Sequence, residues 1–316
     1  MHKQRSNQMI ECLRFLGCVF VVFIHCPFPN PAGDYIRTAG RTAVPFFLLL
    51  SGYFSDNSDP VKKAKKKLAD TLIAALAAGA LCLLWNSVNS YLRYEDFAKW
   101  ALPYLNRQTA VNFLLYNRAV FFNSTFYYFF ALIYTYCIFI LSCKTKTTKY
   151  IYYLIPFLLV MLFVAATKGK WYMGGNWLFL GIPFFFLGHF LHSHPAVIRR
   201  LKGKELPLIL LGLLLAWLEQ DLQLHTDYLY IGSVISAVAC LCLCVNSGER
   251  ACPRPLVYLG TNCSLFIMVL HCEVRDTLAL FLPKQSYSFP LLVLGITIVL
   301  SAAASTLFSL MPSRSR

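Results

Sequence analysis

Long apolar blocks constrain this chain more than any other feature of its sequence. Short polar or basic stretches separate them. Most blocks have roughly the 18 to 24 residues that a helix needs to cross a hydrocarbon core of about 30 Å. A spanning segment must satisfy its own backbone hydrogen bonds, which leaves helices or a closed barrel. Because the apolar residues are continuous and do not alternate, they exclude the barrel. We therefore predict an all-α, polytopic membrane helix bundle.

The blocks predict about ten transmembrane helices, in a single domain that covers residues 1–316. The predicted spans are 9–28, 41–55, 68–90, 119–141, 150–167, 177–192, 206–220, 228–246, 256–274 and 289–311. The second and sixth are short, which indicates helices that are tilted little or broken. An even number of spans places both termini on one side of the bilayer.

The distribution of lysine and arginine predicts which side this is. If the N-terminus is cytoplasmic, the inner segments carry 18 of the 29 basic residues and the outer segments carry 10, with Arg14 inside a span. The excess of positive charge on the inner side favours two cytoplasmic termini. Topology thus accounts for the formal charge of +15. We expect the lipid bilayer as a partner and no nucleic acid.

The cysteines indicate neither a disulfide framework nor a metal site. Most of the 12 lie inside apolar blocks. Cys240, Cys242 and Cys244 share one predicted helix, where a spacing of two residues points successive side chains to different faces. Small hydrophobic packing is the role that this placement favours, and no metal is expected.

The first predicted span contains three ionisable residues, Glu11, Arg14 and His25. Charged groups are costly in hydrocarbon, so ionisable residues inside a span indicate a functional site. At about 100° per residue, Arg14 and His25 share one face of the helix. They lie roughly 16 Å apart along its axis. Glu11 precedes Arg14 by three residues, which is close enough for an ion pair.

These residues also have structural interpretations. Glu11 and Arg14 can form a salt bridge that reaches the inner interface, and His25 can be an interfacial histidine bonded to water or a carbonyl group. The second span runs back inward from Arg41, which places this cation at the depth of His25. Its Ser-Gly pair at 51–52 either loosens the helix or allows close packing against a neighbouring helix.

Together these motifs resemble the signature of the acyltransferase-3 family of membrane enzymes. Its first span has an arginine and a histidine separated by ten residues, as Arg14 and His25 are here, and usually has an aspartate where this chain has Glu11. Residues 41–54 (RTAVPFFLLLSGYF) are similar to the family's second-span motif. The following basic loop of the family has two arginines, which correspond here to the lysine-rich stretch 62–67. Lysine keeps the charge but lacks the bidentate fork.

Later segments are also similar to the family, so the resemblance covers nearly the whole chain. They are the aromatic stretch from Asn123 through Tyr127 and Tyr128, the Gly-Gly-Asn-Trp segment around Asn176, and the penultimate span with His271. The resemblance implies transfer of an acyl group, usually acetyl, from cytosolic acyl-CoA to a hydroxyl. The acceptor would be an extracytoplasmic glycan or its lipid-linked precursor, at the cytoplasmic membrane of a bacterium.

The resemblance also implies roles for particular residues. His25 is expected to act as a general base or as a covalent acyl carrier, and Glu11 is expected to orient Arg14. The expected acyl-CoA contacts are Arg14, Ser51, Lys63 and Lys66, because the donor is a polyanion. The expected acceptor contacts are Arg41, Tyr127, Tyr128, Asn176 and His271, with Arg41 also suited to stabilise an oxyanion. His271 and Glu273 either complete an outer pocket or are ordinary interfacial residues.

Two other interpretations stay open. Intramembrane charges and broken helices also mark the pathways of transporters and permeases, although the sequence has no recognisable inverted repeat. A scaffold that has lost its activity would not need His25 or Arg14.

Overall fold

The regular secondary structure in the described part of the chain is entirely helical. The computed structural model describes residues 7–56, 59–94, 98, 102–117, 123, 125–167, 175–224, 229–248 and 250–310, which contain no strand. The α-helices are α1 (Gln8–His25), α2 (Ala32–Gly40), α3 (Ala43–Tyr53), α4 (Pro60–Tyr94), α5 (Arg107–Tyr116), α6 (Phe126–Lys144), α7 (Thr148–Thr167), α8 (Ile182–Ser193), α9 (Pro195–Arg200), α10 (Glu205–Asp221), α11 (Ile231–Asn246), α12 (Arg254–Tyr258), α13 (Ser264–Leu278) and α14 (Ser288–Leu310). A 3-10 turn covers Leu102–Tyr104, and π-helical turns at Trp177–Gly181 and Leu259–Cys263 lead into α8 and α13.

The structure confirms that the described part of the protein is helical and has helices suited to cross a membrane. Among the described residues, six helices are long and apolar enough to cross a bilayer: α1, α4, α6, α7, the continuous segment from α12 to α13, and α14. Helices overlap all ten predicted spans. Two of these helices, Trp177–Ser193 and α11, are apolar but shorter than the six candidate membrane spans. The count of ten spans and the cytoplasmic placement of both termini stay predictions.

Some predicted features lie outside the described residues. They are residues 119–122 and 124 of the fourth span, residue 228 of the eighth and residue 311 of the tenth. The same holds for the basic residues near the two termini, Lys3, Arg5, Arg314 and Arg316, and for Lys99, Arg118, Lys168 and Lys170.

Helix α3 lies at the centre of the bundle. It packs against α1, α8 and α11, and Leu48 and Leu49 are completely buried. An apolar helix without a polar face is suited to this position because every side of it meets another helix. It begins at Ala43, two residues later than the predicted second span, after α2 and a short turn through Arg41.

Two glycines bring the backbones of α3 and α8 into contact. A Cβ atom on Gly52 would lie 1.8 Å from the carbonyl oxygen of Phe185, and one on Gly188 would lie 2.1 Å from that of Leu49. Small residues allow such approach between helices in a membrane. Close packing, the structural interpretation of the Ser-Gly pair, therefore holds for Gly52, and it fixes the position of the neighbouring Ser51.

Helix α1 is clamped between α3 and the π-helical turn before α13. A Cβ atom on Gly260 would lie 2.0 Å from the carbonyl oxygen of Glu11, and one on Gly17 would lie 2.6 Å from the ring of Phe47. Asn7 caps the start of α1, since its side chain accepts a hydrogen bond from the backbone N–H of Met9 at 3.1 Å. These contacts determine which face of α1 turns toward the interior of the bundle.

Candidate functional site

Glu11 and Arg14 form the ion pair that their spacing predicts. Nη1 of Arg14 lies 2.8 Å from Oε2 of Glu11. The carboxylate side chain is 10% exposed and the guanidinium side chain is 36% exposed. The buried carboxylate thus holds one edge of the guanidinium group, and the remaining N–H groups can bind another acceptor.

Arg14 lines a cavity of about 250 Å³ between α1, α3, α4, α6 and α13, which we call the lower cavity. Its polar lining includes Arg14, Ser51, Lys67, Tyr128 and Tyr136. The hydroxyl groups of Tyr128 and Tyr136 lie beside Ser51. The hydroxyl of Ser51 donates to the carbonyl oxygen of Phe47 at 2.9 Å. This hydrogen bond orients the hydroxyl group along the axis of α3. This cavity combines two cations with hydroxyl groups in an otherwise apolar setting.

The lysine-rich stretch is helical, which corrects the predicted loop. Asp59 caps α4 by accepting from the backbone N–H of Lys62 at 2.9 Å, and Pro60 is the first helical residue, a position where proline is favoured. Because successive residues of a helix point in different directions, the lysines lie on different faces of α4. Lys67 lines the lower cavity. Lys63 and Lys66, which were singled out from the sequence, do not: Nζ of Lys63 donates to the carbonyl oxygen of Asp56 at 3.5 Å and Lys66 is exposed.

His25 and Arg41 line a second cavity, of about 110 Å³, which we call the upper cavity. The sequence predicts that Arg41 lies at the depth of His25, and the two residues do line the same cavity. Tyr127, Tyr128 and Thr125 also line this cavity. Two tyrosines predicted as acceptor contacts therefore lie with His25.

A second imidazole lies against His25. The ring centroids of His25 and His271 are 5.3 Å apart, and the ring planes are tilted by 44°. Nη1 of Arg275 donates to the carbonyl oxygen of His25 at 3.1 Å, while its Nε and Nη2 bind Asp276 at 2.8 and 3.0 Å. The last carbonyl groups of a helix lack intrahelical partners, so Arg275 both satisfies one and fixes the end of α1 against α13.

The hydrogen bond of His271 determines its tautomer. Nδ1 lies 2.9 Å from the carbonyl oxygen of Ile267. A carbonyl oxygen can only accept, so Nδ1 carries the proton and Nε2 of a neutral ring keeps its lone pair. Nε2 lies 3.5 Å from Sγ of Cys272. His271 itself is buried, with 1% of its surface exposed.

Glu273 does not line the upper cavity, but a chain of hydrogen bonds connects it to a residue that does. Residues 271 and 273 lie about 200° apart around the helix, so the carboxylate points away from His271. Its Oε1 accepts from Nδ2 of Asn123 at 2.7 Å, and Oδ1 of Asn123 accepts from the backbone N–H of Thr125 at 3.0 Å. Thr125 lines the cavity, so Glu273 supports the wall.

Asn176 supports the cavity from outside in a similar way. Its Oδ1 accepts from the backbone N–H of Leu178 at 2.7 Å, and its Nδ2 donates to the carbonyl oxygen of Leu115 at 3.2 Å. The amide therefore caps the π-helical turn and does not line the upper cavity, and the acceptor contact expected of Asn176 stays a prediction. Leu180, one turn later, does line it.

Asn117 is a supporting residue that the sequence did not reveal. Its Nδ2 donates to the carbonyl oxygens of Tyr127 at 2.9 Å and Gly175 at 2.8 Å, and its Oδ1 accepts from the backbone N–H of Trp177. It is completely buried and has a left-handed φ of 46°. The only signal was an asparagine in a turn-forming position, which is too common to indicate a site.

The two cavities follow one another along α1. Arg14 and Cys18 line the lower one, and Val21 and His25 line the upper one. Tyr128 of α6 and Met268 of α13 line both. Met268 was not identified from the sequence, where it was one apolar residue within an apolar span.

Comparison with known proteins gives a family match, which spans the residues of both cavities. A family model described as an acyltransferase domain matches residues 7–310. No curated protein and no solved structure matches the chain. The match includes every residue that lines the two cavities.

Proposed function

Since the chain belongs to the acyltransferase-3 family, we propose that it transfers an acyl group, acetyl in the simplest case, from cytosolic acyl-CoA to a hydroxyl of an extracytoplasmic glycan or of its lipid-linked precursor. In this proposal the protein lies in the cytoplasmic membrane of a bacterium, with both termini in the cytosol. The lower cavity then faces the cytosol and the upper cavity faces the outside.

One observation carries the proposal: Arg14 and His25 lie on the same side of α1 and line two successive cavities that share Tyr128 and Met268. A donor bound from below can thus bring its thioester toward a hydroxyl bound from above. The rise of an α-helix places the two residues roughly 16 Å apart. An extended pantetheine arm is a suitable length for that separation.

The lower cavity suits the donor. Arg14 and Lys67 supply positive charge for phosphate or carbonyl oxygens, and the guanidinium group can form paired hydrogen bonds. Glu11 holds Arg14 in place through the 2.8 Å ion pair. Ser51, Tyr128 and Tyr136 offer hydroxyl groups to the polar atoms of the arm.

The chemical step takes place at His25. Its neutral imidazole accepts the proton of the acceptor hydroxyl while that oxygen attacks the thioester carbonyl carbon. The new C–O bond forms, the C–S bond breaks, and CoA leaves as a thiol after taking the proton from the imidazolium. Arg41 stabilises the negative charge that develops on the carbonyl oxygen. In the covalent alternative, His25 first takes the acyl group and then delivers it to the hydroxyl.

Mass spectrometry of surface glycans tests this function. Cells that express the protein should carry glycans with the mass of one added acyl group, and cells without it should not. Membrane vesicles supplied with labelled acetyl-CoA should incorporate the label in a manner that depends on the protein. Uptake of a solute by the vesicles without any acylation would instead support a transporter.

A further inference from the structure

The side chains of Tyr128 and Met268 separate the two cavities. Each of them lines both the lower cavity of about 250 Å³ and the upper cavity of about 110 Å³. No other described residue does so for these two cavities. Any group that moves from the vicinity of Arg14 to His25 within the bundle has to pass these two side chains.

The separating layer is thin. On α1 the boundary falls between Cys18 and Val21, and on α3 it falls between Phe47 and Pro45. Two or three residues of helix correspond to a rise of roughly 3 to 5 Å. The layer is therefore about one side chain thick, and the identity of the side chains in it determines the width of the passage.

The two side chains differ in how firmly they are held. The ring of Tyr128 packs edge-on against Phe47, with centroids 6.3 Å apart, and its hydroxyl lies beside Ser51. Met268 is unbranched and partly exposed to the cavities, and methionine adapts its shape more readily than other apolar residues. It lies three residues before His271, so both occupy neighbouring positions on α13. Tyr128 thus forms a fixed wall, and Met268 forms the adjustable one.

The volume of the upper cavity limits what fits beyond this layer. One water molecule occupies about 30 Å³ of the liquid, so 110 Å³ corresponds to roughly four groups of that size. An acetyl group together with the attacking hydroxyl fills such a space. A hexanoyl chain adds four methylene groups, which have no room unless the chain remains in the lower cavity and passes between the two side chains.

We propose that Tyr128 and Met268 form the constriction through which the acyl group reaches His25, and that the side chain of Met268 limits the length of the acyl chain. This proposal rests on the proposed acyltransferase function. The reaction is the one given above: the acceptor oxygen gains the acyl carbon, the thioester C–S bond breaks, and the hydroxyl proton leaves with CoA as its thiol. Met268 acts on it by steric selection only.

The test compares labelled acetyl-CoA and hexanoyl-CoA as donors for membrane vesicles that contain the protein and the acceptor of the host membrane. We expect the wild type to prefer acetyl-CoA. In Met268→Ala the ratio of hexanoyl to acetyl incorporation should rise by at least about tenfold, because each methylene group in a restrictive pocket changes the rate severalfold. Met268→Val, which removes less volume and leaves a larger apolar side chain than alanine does, should give a smaller rise.

Met161→Ala is the matched control. Met161 lies on α7 and lines neither cavity, so the same truncation there should leave the ratio unchanged. Size-exclusion profiles in detergent identify variants that fail to fold; if Met268→Ala is one of them, Met268→Val provides the measurement.

The outcomes separate the two proposals. Incorporation of acetyl groups that depends on His25, with the same hexanoyl-to-acetyl ratio in Met268→Ala and wild type, would overturn the constriction and leave the acyltransferase function standing. Equal use of acetyl-CoA and hexanoyl-CoA by the wild type would also overturn the constriction and leave the acyltransferase function standing. Absence of incorporation from either donor in wild-type vesicles, with folded protein present, would overturn the function and the constriction together.

Discussion

The imidazole rings of His25 and His271 are in contact, with centroids 5.3 Å apart and planes tilted by 44°, although they come from the first and the penultimate long apolar segments in the described part of the chain. Nη1 of Arg275 donates to the backbone carbonyl oxygen of His25 at 3.1 Å and holds the end of α1, while Nδ1 of His271 donates to the carbonyl oxygen of Ile267 at 2.9 Å and orients the His271 ring. His25 lines the upper cavity and His271 does not, so the oriented ring of His271 supports the imidazole that faces the cavity.

Replacement of His25 by alanine should reduce acyl transfer by a factor of about 100 or more, because general-base catalysis contributes roughly that much. The measurement is the incorporation of label from acetyl-CoA into vesicle glycans, normalised to the amount of folded protein. His194→Ala is the control, since His194 is an exposed histidine that stacks on Phe190 and lines neither cavity. Turnover of His25→Ala at the wild-type rate would remove this residue from the mechanism.

His271→Asn should lower kcat by about tenfold or more and leave the KM for acyl-CoA unchanged. Asparagine can keep a donor near the position of Nδ1 but has no counterpart of Nε2, the nitrogen that keeps its lone pair. His189→Asn is the matched control, because His189 is also buried and its Nδ1 binds the hydroxyl of Tyr152 at 2.6 Å away from both cavities. A parallel loss of thermal stability and activity in both variants would indicate that His271 is only structural.

Arg14→Lys should raise the KM for acyl-CoA by about tenfold or more, since the loss of one charge-assisted hydrogen bond costs roughly 1.5 to 3 kcal/mol. Lysine keeps the charge but cannot bind Glu11 and the donor through one planar fork. The steady-state dependence of transfer on donor concentration measures this effect. Arg37→Lys is closely matched, because Arg37 pairs with Asp34 at the same spacing of three residues and at 3.1 Å. An identical KM in Arg14→Lys and wild type would exclude Arg14 as a donor contact.

Gly52→Ala should lower the thermal stability of the protein in detergent and reduce transfer with it. The new methyl group would lie 1.8 Å from the carbonyl oxygen of Phe185, so α3 and α8 must separate. Overpacking of this kind costs about 1 to 3 kcal/mol. Gly295→Ala is the control, because a Cβ atom there meets nothing within 4 Å and alanine has the higher helix propensity. An unfolding temperature of Gly52→Ala equal to that of the wild type would show that close packing at Gly52 does not contribute to stability.

The local pattern of the first helix was sufficient to predict part of the site. The spacing of Glu11 and Arg14 predicted an ion pair, and helical periodicity predicted a shared face for Arg14 and His25. Both depend only on the geometry of a single helix. The fold class followed from the length of the apolar blocks, because a bilayer leaves a chain few other structures.

The lysine-rich stretch corrects one prediction for a reason that is also local. The sequence comparison predicts a loop at residues 62–67 with Lys63 and Lys66 as donor contacts, whereas the cap at Asp59 and the proline at position 60 begin α4 there. A helix gives each lysine its own direction. Lys67 therefore lines the lower cavity, and Lys63 and Lys66 do not.

The membrane-type helix bundle and the stripe of ionisable residues on α1 can be predicted from the sequence, because both arise from interactions within one helix or between a helix and lipid. Three features cannot be predicted in this way: the contact of His271 with His25, the position of Asn176 outside the cavity lining, and the separation of two cavities by Tyr128 and Met268. These relationships depend on how helices distant in the chain pack and rotate against one another. Apolar side chains such as Met268 look alike along a span, and only packing gives one of them a particular place.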